Sequence, residues 1–225
     1  MSMIEIRGLS KSFGDAEVLH DINMTLVSGR IYGLTGRNGS GKTMLLKHIL
    51  GFVRPTSGTV KINGKTIGQE TDIPESVGAI IENPGFLSEY SGYKNLKLLA
   101  GINGKAGDRD IREAIHLVGL EQAMNQKTGK YSLGMRQRLG IAQALMENPD
   151  ILLLDEPLSG LDNDGVREMY RVFHQQKDHG KLIVIASHSK EDISNLCDEI
   201  FQFDKGRIVA HETHNTIGRE GNTEV

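Results

Sequence analysis

Hydrophobic residues recur with strand-like spacing over the first third of the chain. The segments are short, and Asn63-Gly64 stands between two of them as a tight turn would. Residues 44–50 differ because they are apolar and free of helix breakers, which predicts a helix directly after the glycine-rich run 36–41. Strands are expected over residues 4–9, 18–26, 31–35, 60–63 and 78–82.

The middle of the chain, residues 91–148, has a helical pattern instead. Apolar residues three and four positions apart form two separate faces, as they do in amphipathic helices. Charged residues surround the start of the second helix and are expected to be solvated. The two faces contain Leu96, Leu99 and Ala100, and Ile111, Ile115 and Val118, respectively.

The last third returns to strands. Residues 151–154 are continuously apolar, which is typical of a fully buried parallel strand, and residues 181–186 have the same form. A helical pattern over 162–179 lies between them and predicts a βαβ unit. Residues 200–211 predict a hairpin that turns at Asp204-Lys205-Gly206.

These patterns predict one α/β domain with an inserted helical subdomain. The α/β core and a β subdomain are expected over residues 1–85 and 149–212, and the helical subdomain over 86–148. The polar end, 213–225, is expected to be a frayed tail.

Composition narrows the classes of function. The chain has 225 residues, with 26 Lys and Arg against 29 Asp and Glu, and no long basic block, which argues against nucleic acid as a partner. No apolar stretch approaches the roughly 18 residues of a membrane helix, and no signal-peptide core follows Met1, so a cytoplasmic chain is expected. The single cysteine, Cys197, is expected to be a buried apolar side chain.

A phosphate-binding loop follows the third predicted strand. The segment matches G-x-x-x-x-G-K-[ST], the P-loop, in which backbone N–H groups and a helix N-terminus surround nucleotide phosphates. Lys42 would neutralise the β- and γ-phosphates, and Thr43 would be a ligand of Mg²⁺. The predicted nucleotide-binding residues are Gly36, Arg37, Asn38, Gly39, Ser40, Gly41, Lys42 and Thr43.

Two carboxylates end the buried strand 151–154. Asp155 and Glu156 stand where the Walker B segment of P-loop ATPases has its acidic residues. Asp155 would hold Mg²⁺ through water. Glu156 would be a general base that polarises the attacking water, and the alternative is that both acids only end a strand at a turn.

A third motif resembles one found in ABC (ATP-binding cassette) proteins. Residues 131–135 read Tyr-Ser-Leu-Gly-Met and precede Arg-Gln-Arg, where the family's usual form is Leu-Ser-Gly-Gly-Gln. Leu133 replaces a glycine and Met135 replaces the glutamine, whereas Ser132 and Gly134 are kept. In the family this serine and glycine reach the γ-phosphate held by the opposite subunit.

The resemblance extends over nearly the whole chain. It implies a P-loop NTPase core with an antiparallel β subdomain and a helical subdomain. Phe13 would stack on adenine, Asp162 would belong to the D-loop, and His188 would be the switch histidine. The chain would bind ATP and Mg²⁺, dimerise on ATP with itself or a related cassette, and hydrolyse ATP on the inner face of the cell membrane for a separate integral membrane subunit.

Glu82 is the main departure from the family, which has glutamine there as a ligand of Mg²⁺. A carboxylate can still bind the ion, but it adds a negative charge beside Asp155 and Glu156. Glu82 and the altered motif at 131–135 resemble the cassettes of bacterial exporters for antimicrobial-peptide, bacitracin and lantibiotic resistance. Export of a peptide or drug is therefore expected.

Two other classes of function compete with this interpretation. A soluble ABC ATPase would act in translation, DNA maintenance or cluster assembly, but the second cassette of the translation type and the long coiled coil of the repair type are not found in the sequence. A P-loop kinase would not need the motifs around Ser132, Asp162 and His188 together.

A partner surface is expected after Glu82. Phe86, Leu87 and Tyr90 are large residues in a segment that is predicted to be a loop, and in the family this region receives a cytoplasmic helix of the membrane subunit. The alternative is that all three pack under the helical subdomain. His211 and His214 lie three residues apart, but no His or Cys cluster completes a metal site, and both are expected to be solvated.

Overall fold

Two β-sheets position the predicted motifs in the computed structural model, which describes residues 1–82 and 84–213. The strands are β1 (Met3–Phe13), β2 (Ala16–Val27), β3 (Arg30–Thr35), β4 (Ser57–Ile62), β5 (Lys65–Thr66), β6 (Val77–Ile80), β7 (Ile151–Asp155), β8 (Leu182–Ser187), β9 (Glu199–Asp204) and β10 (Arg207–Thr213). The helices are α1 (Lys42–Ile49), α2 (Gly92–Asn103), α3 (Asp108–Leu117), α4 (Leu133–Leu145), α5 (Asn163–Asp178) and α6 (Lys190–Leu196).

The smaller sheet is antiparallel, with strand order β2-β1-β4-β5. Its first strand is longer than the apolar pattern predicts. Beyond Leu9 the strand continues because its backbone pairs with β2, where Lys11 lies opposite Leu19 and Phe13 opposite Ala16. Backbone pairing therefore extends β1 to Phe13, past the end of its buried side chains.

The larger sheet has the order β10-β9-β3-β8-β7-β6, and its strands are parallel except β10. Its central strands β3, β7 and β8 are buried on both faces. In β7, Ile151 and Leu153 pack toward β1, β2 and α1, whereas Leu152 and Leu154 pack toward the helices on the other face. This double burial explains the continuous apolar run of β7 and brings the carboxyl ends of β3, β7 and β8 to the same edge.

Three helices, α2, α3 and α4, form the helical subdomain, with short 3₁₀ turns over Glu121–Ala123 and Thr128–Lys130. The side chain of Ser91 caps α2, and that of Ser132 caps α4 by accepting a hydrogen bond from the Met135 N–H at 3.1 Å. Among the described residues, no helix has the combined length and apolar character that crossing a membrane requires.

Several predicted boundaries differ from the observed ones. Helix α1 begins at Lys42, two residues earlier than predicted, because the P-loop leads directly into it. Strand β6 ends at Ile80, so Glu82 follows the strand and has a left-handed φ of 61°. Strand β10 continues to Thr213, which corrects the expected start of the tail, and residues 214–225 lie outside the described residues.

Candidate functional site

The predicted P-loop residues follow β3 and lead into α1, and residues 38–43 line a cleft of about 360 Å³. Gly36 and Arg37 line a second pocket, which shares Asn38 with this cleft and also contains His188. Glycine is needed at Gly36, where φ is 153° and a Cβ atom would lie 2.3 Å from the Phe203 carbonyl oxygen. The Ser40 hydroxyl is buried and has no hydrogen-bond partner among the described residues. A loop of unhindered N–H groups at a helix N-terminus is suited to bind phosphate. The cleft is lined by Val18, Asn38, Gly39, Ser40, Gly41, Lys42, Thr43, Met44, Asp155 and Glu156.

Lys42 folds back over its own loop. Its Nζ donates hydrogen bonds to the carbonyl oxygens of Gly36, at 2.7 Å, and Arg37, at 3.2 Å. Burial lowers the pKa of the Lys42 ammonium, and the carboxylates of Glu156 and Asp155 oppose that shift. The ammonium thus lies at the cleft, where phosphate oxygens could replace the two carbonyl groups as its acceptors.

Thr43 and Asp155 are in direct contact at the cleft. The Thr43 hydroxyl donates a hydrogen bond to Asp155 Oδ2 at 2.8 Å, although 112 residues separate the two positions. Burial raises the pKa of Asp155, while hydrogen bonds from the Thr43 hydroxyl and the Glu82 backbone lower it. A buried carboxylate beside a hydroxyl is an all-oxygen donor pair that fits Mg²⁺, an ion that proteins hold through one or two carboxylates together with substrate phosphates.

Glu156 and His188 form the second polar contact at this edge of the sheet. Glu156 Oε1 accepts hydrogen bonds from the His188 backbone N–H at 3.0 Å and from His188 Nδ1 at 2.9 Å. The Ser187 hydroxyl lies 3.3 Å from Glu156 Oε2. The carboxylate is therefore oriented by the strand end of β8.

Gln137 is a contact of Glu156 that sequence reasoning missed. Its Nε2 donates a hydrogen bond to the Glu156 carbonyl oxygen at 3.1 Å, and only 5% of Gln137 is exposed. The available signal was helical spacing, since Gln137, Ile141 and Leu145 lie four residues apart on the buried side of α4. An amide on an apolar face indicates a specific hydrogen-bond partner.

Glu82 has a partner that its predicted role did not include. Its carboxylate accepts a hydrogen bond from Lys47 Nζ at 2.6 Å, one helical turn beyond Thr43 on α1. The Glu82 side chain is 67% exposed, and the effect of Glu82 on the pKa of Asp155 comes from the Glu82 backbone rather than from its carboxylate. The role of Glu82 as a metal ligand stays a prediction.

Ser132, Gly134 and Asp162 lie together, but they do not line the P-loop cleft of their own chain. A Cβ atom on Gly134 would be 3.0 Å from the Gly160 carbonyl oxygen, so the start of α4 packs on the loop before α5. Asp162 caps α5 by accepting a hydrogen bond from the Gly165 N–H at 2.9 Å. The ABC-like residues thus form a second surface on the same chain.

The remaining predicted residues have distinct surroundings. Phe13 ends β1 with 51% of its surface exposed, and Lys11 Nζ lies 4.6 Å from its ring centroid. His211 belongs to β10 and stacks on Phe201, with 4.1 Å between ring centroids, while His214 lies outside the described residues. Cys197 is buried and unpaired, as expected.

Comparison with known proteins agrees with this geometry. Residues 19–159 match the family model described as ABC transporter. The chain is 46% identical over 210 residues to the uncharacterized ABC transporter ATP-binding protein YybJ of Bacillus subtilis (strain 168), covering 93% of this chain and 96% of that protein.

Two further relatives have named transport roles. The bacitracin transport ATP-binding protein BcrA of Enterococcus faecalis is 40% identical, over 92% of this chain and 68% of its own length. The lantibiotic transport ATP-binding protein SrtF of Streptococcus pyogenes is 34% identical, over 95% of this chain and 92% of its own length.

Solved structures have the same fold. The ATP-binding subunit of an ABC transporter superposes with a TM-score of 0.84 at 27% identity, covering 94% of this chain and 90% of that one. A dimeric bacterial ABC transporter cassette, MJ0796, has a TM-score of 0.84 at 22% identity over 93% of this chain and 98% of its own, which supports the fold alone. The chain therefore belongs to the ABC transporter family, as an ATP-binding subunit.

Proposed function

We propose that the chain hydrolyses ATP and that this reaction drives export through a separate integral membrane subunit. The observation that carries the proposal is the Glu156 carboxylate, which His188 orients at 2.9 Å beside the P-loop cleft. An oriented carboxylate next to a phosphate-binding loop is suited to activate water for attack on a phosphate.

Binding of ATP begins with the loop. The backbone N–H groups of residues 38–43 surround the phosphates, and Lys42 exchanges the carbonyl groups of Gly36 and Arg37 for phosphate oxygens. The exposed ring of Phe13 stacks on adenine, a contact worth about 1 to 3 kcal/mol for aromatic side chains and bases elsewhere.

Thr43 and Asp155 are the residues that would hold Mg²⁺, whose charge neutralises the phosphates when the ion is bound. Glu156 accepts a proton from the attacking water. His188 keeps the Glu156 carboxylate directed at the cleft through its backbone N–H and its ring.

The site is complete only when a second cassette is present. Ser132, Gly134 and Asp162 lie outside the chain's own cleft, so we infer that they close the nucleotide site of a second cassette in an ATP-dependent dimer. The second cassette is either another copy of this chain or a related one.

The names of two relatives support a proposal for the transported compound. BcrA and SrtF are named for the transport of bacitracin and of a lantibiotic, and both resemble this chain over more than nine-tenths of its length. We propose export of an antimicrobial peptide or drug, with the chain peripheral on the inner face of the cell membrane. The transporter names of these relatives favour this proposal over a soluble ABC ATPase.

Purification from the native membrane tests the whole proposal. The chain should carry an integral membrane protein with it, and the complex should release phosphate from ATP without any added phosphate acceptor. Consumption of ATP only when an acceptor is added, with no phosphate released, would indicate a phosphotransferase. Recovery of an active chain with no membrane protein under mild detergent would favour the soluble class.

Within residues 86–90, two of the three large side chains of the expected partner surface are exposed and one is packed. Leu87 and Tyr90 are 56% and 44% exposed, whereas Phe86 packs against the apolar core. The Asn95 side chain, 4% exposed, donates to the carbonyl oxygens of Leu87, Tyr90 and Ser91 and accepts from the Leu87 N–H. The segment also pairs with the 3₁₀ turn before Tyr131, since the Thr128 N–H donates to the Tyr90 carbonyl oxygen at 2.9 Å.

Substitution of Leu87 or Tyr90 by Ser is expected to abolish co-purification with the membrane subunit. Both variants should keep basal ATPase activity and thermal stability, because exposed side chains contribute little to the free energy of unfolding. Phe86→Ser should instead lower stability by about 1 to 3 kcal/mol, as a polar group replaces a packed ring. Phe52→Ser, another exposed aromatic position at 64%, is the control that should change neither property. Full co-purification and transport by both the Leu87 and Tyr90 variants would refute the docking site.

Glu82→Gln is expected to leave Mg·ATP affinity unchanged or to raise it. The substitution removes one negative charge beside Asp155, and the exposed ion pair with Lys47 that it breaks is worth at most about 1 kcal/mol. Titration with a fluorescent ATP analogue in Mg²⁺ measures the effect, with Glu75→Gln as an exposed, ion-paired control. A tenfold loss of affinity, about 1.4 kcal/mol, would show that the Glu82 carboxylate is a specific ligand at this site.

A further inference from the structure

Helix α4 has a polar contact with the candidate catalytic residue of the same chain. The helix begins after Ser132 and packs into the core through Leu139, Ile141 and Leu145. Gln137 lies five residues after Ser132 on this helix and donates its side-chain N–H to the Glu156 carbonyl oxygen at 3.1 Å. The same helix therefore carries Ser132 at its start and contacts Glu156 little more than one turn later.

The backbone of Glu156 has an unfavourable conformation that its surroundings must stabilise. Its φ is 48°, in the left-handed region that costs a non-glycine residue about 1 to 3 kcal/mol unless the surroundings hold it. Its N–H donates to the Ala186 carbonyl oxygen at 2.8 Å, and its own carbonyl oxygen accepts from the Ser159 N–H at 3.2 Å. Gln137 supplies a second donor to that carbonyl group, and it comes from the helical subdomain.

Packing alone does not explain an amide at this position. Burying an unbonded amide is unfavourable, and an apolar side chain of the same length would fill the space without that cost. The amide is favourable here because it is bonded to Glu156.

We propose that Gln137 is a positioning residue that holds the Glu156 backbone so that its carboxylate faces His188 and the cleft. Movement of α4 when Ser132 engages the nucleotide of the second cassette would reach Glu156 through this bond. The proposal rests on the role of Glu156 as general base and on the dimer proposed above.

Gln137→Met tests the bond, because methionine has similar length but no donor. We expect turnover to fall at least fivefold and by up to about a hundredfold, since a misplacement of about 1 Å can cost that much. The dissociation constant of a fluorescent ATP analogue should stay within twofold. Gln143→Met, the same change on the same helix away from Glu156, should leave turnover and stability unchanged.

Unaltered turnover in Gln137→Met would overturn the proposal. If that variant is unstable, Gln137→Glu decides, because the introduced carboxyl can donate to the Glu156 carbonyl group only when it is protonated. The turnover of Gln137→Glu divided by that of the wild type should rise as the pH falls from about 8.5 to 6. This range lies above the ordinary carboxyl pKa because burial raises the pKa of a carboxyl group. The ratio removes the pH dependence that the variant shares with the wild type. A ratio independent of pH would overturn the proposal.

Glu156→Gln in the same series separates the two hypotheses. If Glu156→Gln keeps wild-type turnover, the proposed function of Glu156 fails. If Glu156→Gln is inactive while Gln137→Met is fully active, only the positioning role of Gln137 fails.

Discussion

Glu156→Gln is expected to reduce steady-state ATP hydrolysis by about 10² to 10⁴, the usual contribution of a general base. The amide keeps the shape of the side chain, but it cannot accept a proton from water. ATP binding should persist, because the P-loop and the contact between Thr43 and Asp155 are unaltered. Without hydrolysis to reverse it, the ATP-bound dimer should accumulate. Phosphate release and sedimentation with Mg·ATP measure both effects.

The matched control is Glu113→Gln, an exposed glutamate on α3 that is remote in sequence from the cleft residues. It should hydrolyse ATP as the wild type does. Near-normal turnover in Glu156→Gln would refute the assignment of the base. Sedimentation as a monomer with ATP would argue against a homodimer, whereas a dimer with a related cassette would remain open.

Lys42→Met is expected to weaken ATP binding by about 10- to 100-fold, because hydrogen bonds to charged groups contribute about 1.5 to 3 kcal/mol. The substitution removes a buried ammonium that is bonded only to loop carbonyl groups, at 2.7 and 3.2 Å, in the described structure. Titration with a fluorescent ATP analogue measures the loss.

The free energy of unfolding of Lys42→Met shows whether weaker ATP binding results from the loss of a ligand contact or from a damaged fold. Burial lowers the pKa of Lys42, which means that the charged form of this side chain is destabilised in the absence of nucleotide. The free energy of unfolding of Lys42→Met without ATP should therefore equal or exceed that of the wild type. Lys65→Met, at an exposed position on β5, should keep ATP affinity. Wild-type ATP affinity in Lys42→Met would contradict the proposed role.

The positions of the main motifs were predictable because each follows from local pattern. A continuously apolar strand must be buried on both faces, so the acids after residue 154 had to emerge at the carboxyl edge of a sheet. The glycine run after β3 likewise had to meet the start of a helix. Each inference used neighbouring residues only.

Contacts between a side chain and a residue distant in the sequence were not predictable in this way. Gln137 and Glu156 are 19 residues apart, and Lys47 and Glu82 are 35 apart. Their contacts depend on how α4 and α1 pack against loops at the sheet edge. The extension of β1 to Phe13 has the same origin, since pairing with β2 sets its end rather than apolar spacing.

The hydrogen bonds around Asn95 and Thr128 join the exposed Leu87–Tyr90 segment to the backbone just before Tyr131 and Ser132. The coupling free energy between two binding sites is reciprocal. If binding of one ligand changes the affinity for a second ligand by some factor, binding of the second changes the affinity for the first by the same factor. By this rule, occupancy of the nucleotide site that we propose Ser132 to close should alter affinity for the proposed membrane subunit by the same factor that the subunit alters affinity for ATP. In this chain a cytoplasmic loop and a nucleotide would act as allosteric effectors of each other.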